Sequence, residues 1–337
     1  MSDSALTFPA TPLAILRRLA STPGFVSGES LAAELGLSRA AVSKAVARLR
    51  EDGYEVESSP RVGHRLVSRP DRLIAPEVLD GLETTHLGRY VAHFDRTRST
   101  QPIARDLADA GAPHGTLVVA EEQDLGRGRL NRPYASPRGG IWATVVLRGP
   151  LPASRAPLVS LAAGVAAARA IAEVTGLEPV LKWPNDVLVN GKKVAGILTE
   201  LVAEEQAVHY LLVGTGINAN FPGTALPADI RGSATTLLDE AGAPIARLRL
   251  LQRYLGELER LFEQLRESPA DVVAAWRSLP NTIGRRVRAD LWEGSLHGTA
   301  VALLDDGALL IRTTAGEEVR ITAGDVLHAP TTEENPA

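Results

Sequence analysis

The sequence predicts an α+β multidomain chain with three folded units. Three helix patterns and a short hairpin come first, strands and helices alternate in the middle, and short strands with tight turns come last. At 337 residues, the chain is long enough for two or three domains. We expect a winged helix-turn-helix domain over residues 1–70, a linker over 71–83, a central α/β domain with a mixed sheet over 84–278, and a small β-barrel over 279–330.

The composition is that of a soluble globular protein. The chain is 45% hydrophobic and has no cysteine, which excludes disulfides, thiolate zinc sites and a cysteine nucleophile and makes the cytoplasm the expected compartment. The N-terminus lacks a signal-peptide pattern, and apolar stretches such as Leu158 to Ala168 are too short to span a bilayer, so no membrane insertion is expected. The seven histidines lack metal-ligand spacing, and no metal site is predicted.

Charge is divided unequally along the chain. Residues 11–70 hold nine arginines and lysines against six acidic residues, a net charge of +3, whereas the whole chain carries −4. The remainder therefore carries −7. A basic head on an acidic body indicates that only the head meets a polyanion, although charge alone fits ordinary surface variation equally well.

Three helices are predicted in the head. Apolar spacing from Leu13 to Leu19 gives the first helix, and Gly28 to Gly36 gives the second, which ends at that glycine. Ser38 is a good N-cap for the third helix, because its hydroxyl can accept a hydrogen bond from a free backbone amide. The inner face of the third helix is apolar and consists of Ala41, Val42, Ala45, Val46 and Leu49.

A two-stranded wing follows the third helix. Tyr54 to Glu57 and His64 to Val67 flank a turn rich in Ser, Pro and Gly. In a winged helix-turn-helix the third helix enters the major groove of DNA and the wing lies along the backbone. The candidates for base or phosphate contacts are Arg39, Ser43, Lys44, Arg48, Arg61 and Arg65. The alternative is a solvated helix face, but the helix order, the cap and the basic wing favour DNA.

The middle of the chain alternates between helical and strand patterns. Gln101 to Gly111 predicts a helix, Thr116 to Glu121 and Ile141 to Leu147 predict strands, and Ala156 to Gly176 predicts a long Ala-rich helix that ends at a glycine. Further strands are expected up to about Asn220.

Two more helices precede the C-terminal strands. They are predicted at Thr235 to Leu238 and at Ile245 to Glu267, where an apolar stripe indicates core packing rather than a partner groove. Beyond Asn281, short strands and the turns between them predict the small β-barrel. These strands are Arg286 to Ala289, Gly298 to Leu304, Ala308 to Thr313 and Glu318 to Ile321. The polar tail after His328 is expected to be loose.

Residues 182–200 are the most informative stretch of the chain. A strand at Val180 and Leu181 leads to Lys182, then Pro184-Asn185-Asp186 favours a turn, and Asn190-Gly191 between two apolar runs predicts a tight hairpin. Lys182 is therefore expected at a strand end, beside turn chemistry. This arrangement indicates an anion-binding enzyme site.

A second cationic segment lies upstream in the run GRGRLNRPYASPRGG at residues 126–140. It is not a dinucleotide fingerprint, because Asn131 takes the third glycine position, and the chain has no Walker A pattern. Arg127, Arg129 and Arg132 lie on a loop that Gly126 and Gly128 are expected to keep mobile. Together with Lys182 they could clamp anionic groups, such as a carboxylate and phosphates, in one site.

These two segments together resemble the biotin protein ligases, and more fully the bifunctional kind that also represses transcription. The resemblance spans nearly the whole chain and implies a class II synthetase-like ligase domain in the centre and an SH3-like barrel at the end. It implies biotin contacts at Ser99, Thr100, Gln101, Gln123, Arg127, Gly128, Arg129, Lys182, Gly196 and Ile197. It implies nucleotide contacts at Arg129, Arg132, Tyr134, Asn185 and Asn218, with Lys182 and Arg129 as the catalytic residues.

The chain departs from the family pattern at three positions. The family usually has Asn where Gln101 stands, Gly where Asn131 stands and Trp where Tyr134 stands. The changes at Asn131 and Tyr134 bear on how the arginine-rich loop closes over the bound biotinyl-5′-AMP. The hydroxyls and amides near Ser99 suit the donors and carbonyl of the biotin ureido ring, although Ser99 and Thr100 also fit a helix cap.

The resemblance implies ATP-dependent ligation of biotin to a lysine of biotin carboxyl carrier protein through biotinyl-5′-AMP, with Mg²⁺ accompanying ATP. It also implies biotin-responsive repression by an adenylate-bound homodimer on operator DNA. One alternative is lipoate ligation, which the absence of an Arg-x-Ser-Gly-Gly-Gly run disfavours. The other is a biotin-sensing regulator without ligase activity, which the retained Lys182, Arg127 and Arg129 disfavour.

Overall fold

The N-terminal head of the computed structural model has the predicted winged helix-turn-helix order. The structure describes residues 10–204, 207–292 and 294–328; the expected loose tail after His328 and the extreme N-terminus lie outside them. Ser38 caps the third helix by accepting from the Ala41 amide at 3.1 Å, and Gly36 ends the second with φ +64°. The elements are α1 (Ala10–Ala20), α2 (Gly28–Leu35), α3 (Arg39–Glu51), β1 (Glu55–Ser59) and β2 (Gly63–Ser68).

The head has a core of its own. Its three helices and the wing bury Ile15, Leu16, Leu31 and Leu49 completely. Arg50 ties α3 to the wing, since its guanidinium donates to the Val56 carbonyl at 2.7–2.9 Å. The orientation of the wing relative to α3 is therefore fixed by a hydrogen bond as well as by packing.

A seven-stranded mixed sheet forms the centre of the molecule. Its strand order is β3-β4-β5-β9-β8-β7-β6, in which only β3 and β4 are parallel neighbours. The elements are α4 (Ala75–Leu79), β3 (Val91–Phe94), α5 (Thr100–Asp109), β4 (Leu117–Ala120), β5 (Ile141–Leu147), α6 (Ala156–Thr175), β6 (Val180–Lys182), β7 (Asp186–Val189), β8 (Lys192–Glu204), β9 (Ala207–Ile217), α7 (Leu237–Ala241), α8 (Arg247–Glu267) and α9 (Pro269–Arg277).

The predicted Ala-rich helix α6 is the core helix of this domain. It is long and apolar enough to cross a membrane by composition, but 67% of its most apolar window is buried within the protein. It packs against α8, whose predicted apolar stripe is buried from Leu251 to Leu265. Small alanine side chains allow α8 and the sheet to approach α6 closely.

The segment expected to be a linker contains structure that the sequence did not predict. Helix α4 lies within residues 71–83, and Leu73 and Val78 are fully buried in the central core. The linker over residues 71–83 stays a prediction, and the structure adds that part of it is helical and packed on the central domain. A five-residue helix is too short to give a periodic apolar pattern.

Arg247 fastens this segment to the central domain. It is 2% exposed and forms ion pairs with Asp71 and Glu121, both at 3.0 Å, and donates to the Gly140 carbonyl at 2.7 Å. Burial alone would raise the pKa of Glu121, but His93 and Arg247 beside it hold the pKa at about 2. The carboxylate therefore stays ionised.

The C-terminal unit is a five-stranded antiparallel sheet of order β13-β12-β11-β10-β14. Its core is continuous with that of the central domain. Trp183 joins the two, because its indole donates to the Gly307 carbonyl at 2.9 Å. The strands are β10 (Arg286–Leu291), β11 (Gly294–Leu303), β12 (Leu309–Thr313), β13 (Glu318–Ile321) and β14 (Asp325–His328), of which β14 was not predicted.

Candidate active site between the central sheet and the C-terminal domain

One cavity of about 500 Å³ is lined by every residue predicted to contact biotin or nucleotide. It lies over β5, β8 and β9, between strand β14 and the loop at residues 126–134, which carries Arg127, Arg129 and Arg132 and is called the arginine loop below. The predicted residues that line it are Ser99, Thr100, Gln101, Gln123, Arg127, Gly128, Arg129, Arg132, Tyr134, Lys182, Asn185, Gly196, Ile197 and Asn218. Segments from residue 99 to residue 218 thus meet at one cavity, and Arg129 and Lys182 both line it, as the predicted site requires. The role of each residue stays a prediction.

Lys182 stands at the end of β6, where the sequence placed it. Its ammonium is 2.9 Å from the carboxylate of Asp186, which also lies 2.6 Å from the ammonium of Lys193. Burial raises the pKa of Asp186, but the ammonium groups of Lys193 and Lys182 outweigh burial and leave the pKa below its ordinary value. Two cations therefore share one carboxylate, and one positive charge remains for an anion in the cavity.

Lys193 and Asp186 were not predicted as site residues. Lys193 follows Lys192 in the hairpin, and only the strand register decides which of the two side chains faces the cavity. Asp186 was assigned to the turn. Its position four residues after a strand-end lysine was a usable signal for an ion pair across the turn.

The arginine loop is a folded hairpin. The Gly128 amide donates to the Arg132 carbonyl, and the Tyr134 amide to the Gly126 carbonyl, both at 2.8 Å. A Cβ at Gly126 would lie 2.4 Å from the Tyr134 carbonyl oxygen, so this glycine is needed for close packing. This requirement differs from the loop mobility that the sequence suggested.

Asn131 occupies a conformation that glycine adopts readily. Its φ is +56°, and that of the preceding Leu130 is +55°. Asparagine tolerates this left-handed region better than most residues, so the path of this loop does not require a glycine at position 131. Leu130 is 77% exposed at the loop tip.

Two arginines of the loop contact the C-terminal domain. Arg129 donates to the Asn185 side-chain oxygen at 3.2 Å and to the Gly324 carbonyl at 3.1 Å, and Arg132 forms an ion pair with Asp325. Burial lowers the pKa of Arg129, while Asp186 and Asp325 oppose the effect. Gly324, Asp325 and His328 also line the cavity, although no local sequence signal predicted them.

A network of buried amides and hydroxyls lies at the α5 end of the cavity. The Gln123 side-chain oxygen accepts from the Thr100 amide at 2.8 Å, and Thr144 donates to Gln101 at 2.9 Å. Ser99 caps α5 and also lines the cavity; the cap is observed, and the biotin contact stays a prediction. Thr144 was missed, but a lone hydroxyl in the apolar strand Ile141–Leu147 was a usable signal.

Tyr134 lies on a glycine floor formed by Gly196 and Gly216, which are paired across β8 and β9. A Cβ on either glycine would approach the Tyr134 ring, to 3.2 Å from Gly196 and 2.7 Å from Gly216. The tyrosine hydroxyl donates to the Gly216 carbonyl at 3.1 Å, and the Lys193 ammonium is 5.5 Å from the ring centroid. Burial raises the pKa of Tyr134, which stays neutral. The cavity therefore has a flat, apolar wall beside its cations.

Asn218 brings an unpaired acceptor to the cavity. It is 4% exposed, and its side-chain nitrogen donates to the Thr235 carbonyl at 2.9 Å. Its side-chain oxygen is buried without a hydrogen-bond partner in the described part of the chain. Such an atom is costly unless a ligand donates to it.

The six predicted DNA contacts all lie on the exposed face of α3 or on the wing. Three have carboxylate partners: Arg39 with Glu29 at 3.0 Å, Arg48 with Asp52 at 3.1 Å and Arg65 with Glu57 at 2.6 Å. The Arg39 and Arg65 pairs are exposed on both sides, and such pairs are weak and can give way to phosphate, whereas the Asp52 partner of Arg48 is buried. Within the described ranges, no carboxylate pairs with Lys44 or Arg61, and Ser43 is exposed beside Lys44.

Three family models match the chain in the order of its three units. An HTH domain matches residues 12–65, the Biotin/lipoate A/B protein ligase family matches residues 93–218, and the Biotin protein ligase C terminal domain matches residues 282–328. The predicted fold class is confirmed by these matches and by the sheets described above.

Curated relatives and solved structures agree. The bifunctional ligase/repressor BirA of Bacillus subtilis is 39% identical over 87% of this chain and 90% of its own length. The biotin acetyl-CoA-carboxylase ligase of Mycobacterium tuberculosis is 36% identical over 69% of this chain and 86% of its own. The Aquifex aeolicus biotin protein ligase in complex with biotin and ATP aligns with a TM-score of 0.60 and 28% identity, over 72% of this chain and all of that one. This chain therefore belongs to the biotin protein ligase family.

Proposed function

We propose that this protein activates biotin with ATP and transfers the biotinyl group to a lysine of a biotin carboxyl carrier protein. The observation that carries the proposal is the convergence of Arg129 and Lys182 on one cavity that also holds a polar network and a flat aromatic wall. The family membership and the ligase names of the relatives support the same reaction.

The polar network fits the biotin ring. Thr100, Gln101, Gln123 and Thr144 offer hydroxyls and amides of both donor and acceptor type within hydrogen-bond distance of one another. The ureido group needs acceptors for two N–H groups and donors for one carbonyl. Apolar Ile197 and the neighbouring strand surface would hold the rest of the ring and its chain.

In the first step, a biotin carboxylate oxygen attacks the α-phosphorus of ATP, and the bond to pyrophosphate breaks. Lys182 and Lys193 share Asp186, so one net positive charge faces the incoming anions, and Arg129 adds another. Fixed cations in a partly buried site offset the repulsion between carboxylate and phosphate. Tyr134 would bound the nucleotide, and the free acceptor of Asn218 would meet an N–H or O–H of the adenylate.

In the second step, a lysine amine attacks the carbonyl carbon of biotinyl-5′-AMP, the bond to AMP breaks, and the amine releases a proton to solvent. No covalent bond to the protein is needed. The contribution of this chain is to hold the anhydride in register with the amine and to keep water from it.

Mg²⁺ is proposed to arrive with the ATP phosphates. In the described residues, no group of three His, Asp or Glu side chains is arranged to hold a metal ion. Asp186 is already occupied by two ammonium groups. The phosphates would therefore supply most of the ligands of the ion.

We further propose biotin-responsive repression of transcription by the head. The exposed basic face of α3 and the wing suit a major groove and its flanking phosphates. An adenylate-bound homodimer acting in the cytoplasm would place two heads on paired half-sites. The domain division at residues 70, 83 and 278 belongs to this proposal, with residues 71–83 packed on the central domain.

A two-part assay tests the proposal. Purified protein is incubated with biotin, ATP and Mg²⁺, and pyrophosphate release is followed before and after adding a biotin carboxyl carrier domain. We expect one equivalent of pyrophosphate without acceptor and labelling of the acceptor lysine afterwards. Lipoate in place of biotin should give neither. Tight biotin binding without pyrophosphate release would instead indicate a regulator that has no ligase activity.

A further inference from the structure

A second groove of about 380 Å³ crosses the outer face of the C-terminal sheet. It is lined by side chains of β10, β11, β12 and β14. The lining includes Arg286, Arg288, Arg312, His297 and Thr299. No Asp or Glu of the described chain is among the residues that line it. The groove is therefore a site for anionic groups on a molecule whose residues outside 11–70 carry a net charge of −7.

The strand register brings these cations together. Arg288 lies opposite His297 on β11 and opposite Leu327 on β14. Thr299 in turn lies between Arg286 on one side and Arg312 on the other. Residues directly opposite each other in antiparallel strands project to the same face, so the two rows form one continuous surface.

The cations of the groove are available to a partner. No carboxylate pairs with Arg286 in the described part of the chain. Arg288 pairs with Asp290 at 3.1 Å and Arg312 with Glu318 at 2.8 Å, and all four side chains are more than a third exposed. Such pairs contribute little, so carboxylates on a docked protein could replace the internal partners.

The groove and the catalytic cavity share two lining residues, Leu327 and His328. Leu327 is 38% exposed and offers an apolar contact where the two meet. A molecule that covers the groove therefore lies next to the cavity that an amine has to reach.

An exposed tryptophan stands at the end of the same face. Trp292 follows β10 at its hairpin tip and is fully exposed. Within β10, Arg286 and Arg288 are exposed, whereas Val287 and Ala289 are buried, and Trp292 lies one residue beyond the strand. Tryptophan and arginine are the residue types most enriched at the energetic centres of protein interfaces. Trp292 beside these arginines is therefore a candidate contact for a docked protein.

We infer that this face, which we call the docking face (Arg286, Arg288, Trp292, His297, Arg312 and Leu327), binds the acceptor protein through acidic side chains near its target lysine. The inference rests on the proposed function. The second substrate has to deliver an amine into the cavity, and the docking face is a cationic surface that shares Leu327 and His328 with the lining of that cavity. Contact with the arginines would orient the acceptor, and Trp292 would pack against an apolar patch on it.

Steady-state kinetics on the full chain test this inference, with an isolated biotin carboxyl carrier domain as the probe. Arg286→Glu and Trp292→Ala should each raise the KM for the acceptor about tenfold or more, and the Arg286 effect should shrink at high salt. Pyrophosphate release in the absence of acceptor should keep its wild-type rate and its KM values for biotin and ATP. The matched control is Arg320→Glu, the same charge change on β13 outside the groove, which should leave the acceptor KM unchanged.

The outcomes separate the two levels of the proposal. If the wild-type chain releases no pyrophosphate from biotin and ATP, the proposed function fails. If it does, but both variants keep the wild-type acceptor KM, the docking face is not the acceptor site. Unchanged acceptor kinetics combined with weaker DNA binding, or with altered self-association in sedimentation, would assign the face to nucleic acid or to a second copy of the chain and overturn the inference.

Discussion

Lys182 and Asp186 form an ion pair of 2.9 Å across the tight turn between β6 and β7. The two residues are also backbone partners in the sheet, so the position of the ammonium is set by strand register as well as by charge. Because Lys193 contacts the same carboxylate at 2.6 Å, both lysines are held in place before any ligand binds. Such preorganisation avoids the cost of moving charges during the reaction.

Lys182→Ala should lower the rate of adenylate formation by about a hundredfold or more, the usual cost of removing one donor to a developing anion. The measurement is single-turnover pyrophosphate release at saturating biotin and ATP. Lys192→Ala is the matched control, since Lys192 is exposed beside Lys193 and does not line the cavity. A near-normal rate in a well-folded Lys182→Ala protein would remove this lysine from the mechanism.

Asp186→Asn should destabilise the fold by roughly 3 kcal/mol, because two partly buried ammonium groups lose their shared, buried counter-charge. Urea unfolding measures the difference. Since the Asp186 pKa lies below its ordinary value, its stabilisation is present above that value and is lost only in strong acid, so the difference should stay constant from about pH 5 to 8. Asp305→Asn, at an 86% exposed ion pair, should change stability by less than about 0.5 kcal/mol. An equal effect of the two substitutions would contradict the buried pair.

Gly216→Ala should raise the KM for ATP about tenfold, with a smaller effect on biotin. The new Cβ would lie 2.7 Å from the Tyr134 ring and displace it from the glycine floor, where tighter contacts cost on the order of 1–3 kcal/mol. Gly256→Ala is the control: Gly256 is in α8 with open space around it and should gain up to about 1 kcal/mol of stability. An unchanged KM for ATP would place the nucleotide away from Tyr134.

His328 should make stability fall as the pH is lowered from about 6.5 to 4. Burial, with Arg285 and Lys182 nearby, lowers its pKa to about 4. Below its ordinary pKa of 6.5 the unfolded chain binds a proton that the folded chain excludes, which costs up to roughly 3 kcal/mol. Urea unfolding gives the free energy of unfolding of wild type and of His328→Gln at each pH. Plotted against pH, the two free energies should converge or cross as the pH falls. Parallel curves would show that His328 does not titrate in this range.

Removal of residues 1–70 should spare adenylation and acceptor labelling and abolish DNA binding. No described residue of the head lines the cavity, and the head has its own core. The measurements are pyrophosphate release and fluorescence anisotropy with a labelled operator. Lys44→Ala in the full chain should weaken DNA binding and its salt dependence without altering catalysis. Loss of adenylation in a folded truncated protein would show that the head contributes to ligand binding.

Local signals predicted most of the helices and strands that carry the site. The Asn190-Gly191 hairpin forms with φ values of +49° and +78°, and β7 and β8 pair on either side of it. Lys182 ends β6 as expected. These features depend on a few adjacent residues, so a single sequence suffices to predict them.

The residues that were missed depend on distant parts of the chain. Asp325 meets Arg132 across 193 positions, and Gly324 meets Arg129 across 195, so no local pattern announces either contact. The side chain of Lys193 faces the cavity and that of Lys192 does not, because the pairing of β7 with β8 shifts register between Val187 and Leu188. Helix α4 is too short to show periodicity.

The buried position of Arg247 determines where the protein can be divided and recombined. Its guanidinium holds Asp71, the first residue after the proposed head, against Glu121 and Gly140. Chimeras that exchange heads between family members should therefore be joined ahead of residue 71, so that the aspartate travels with the catalytic half. A junction placed after it would leave a nearly inaccessible arginine facing whatever side chain the donor sequence supplied.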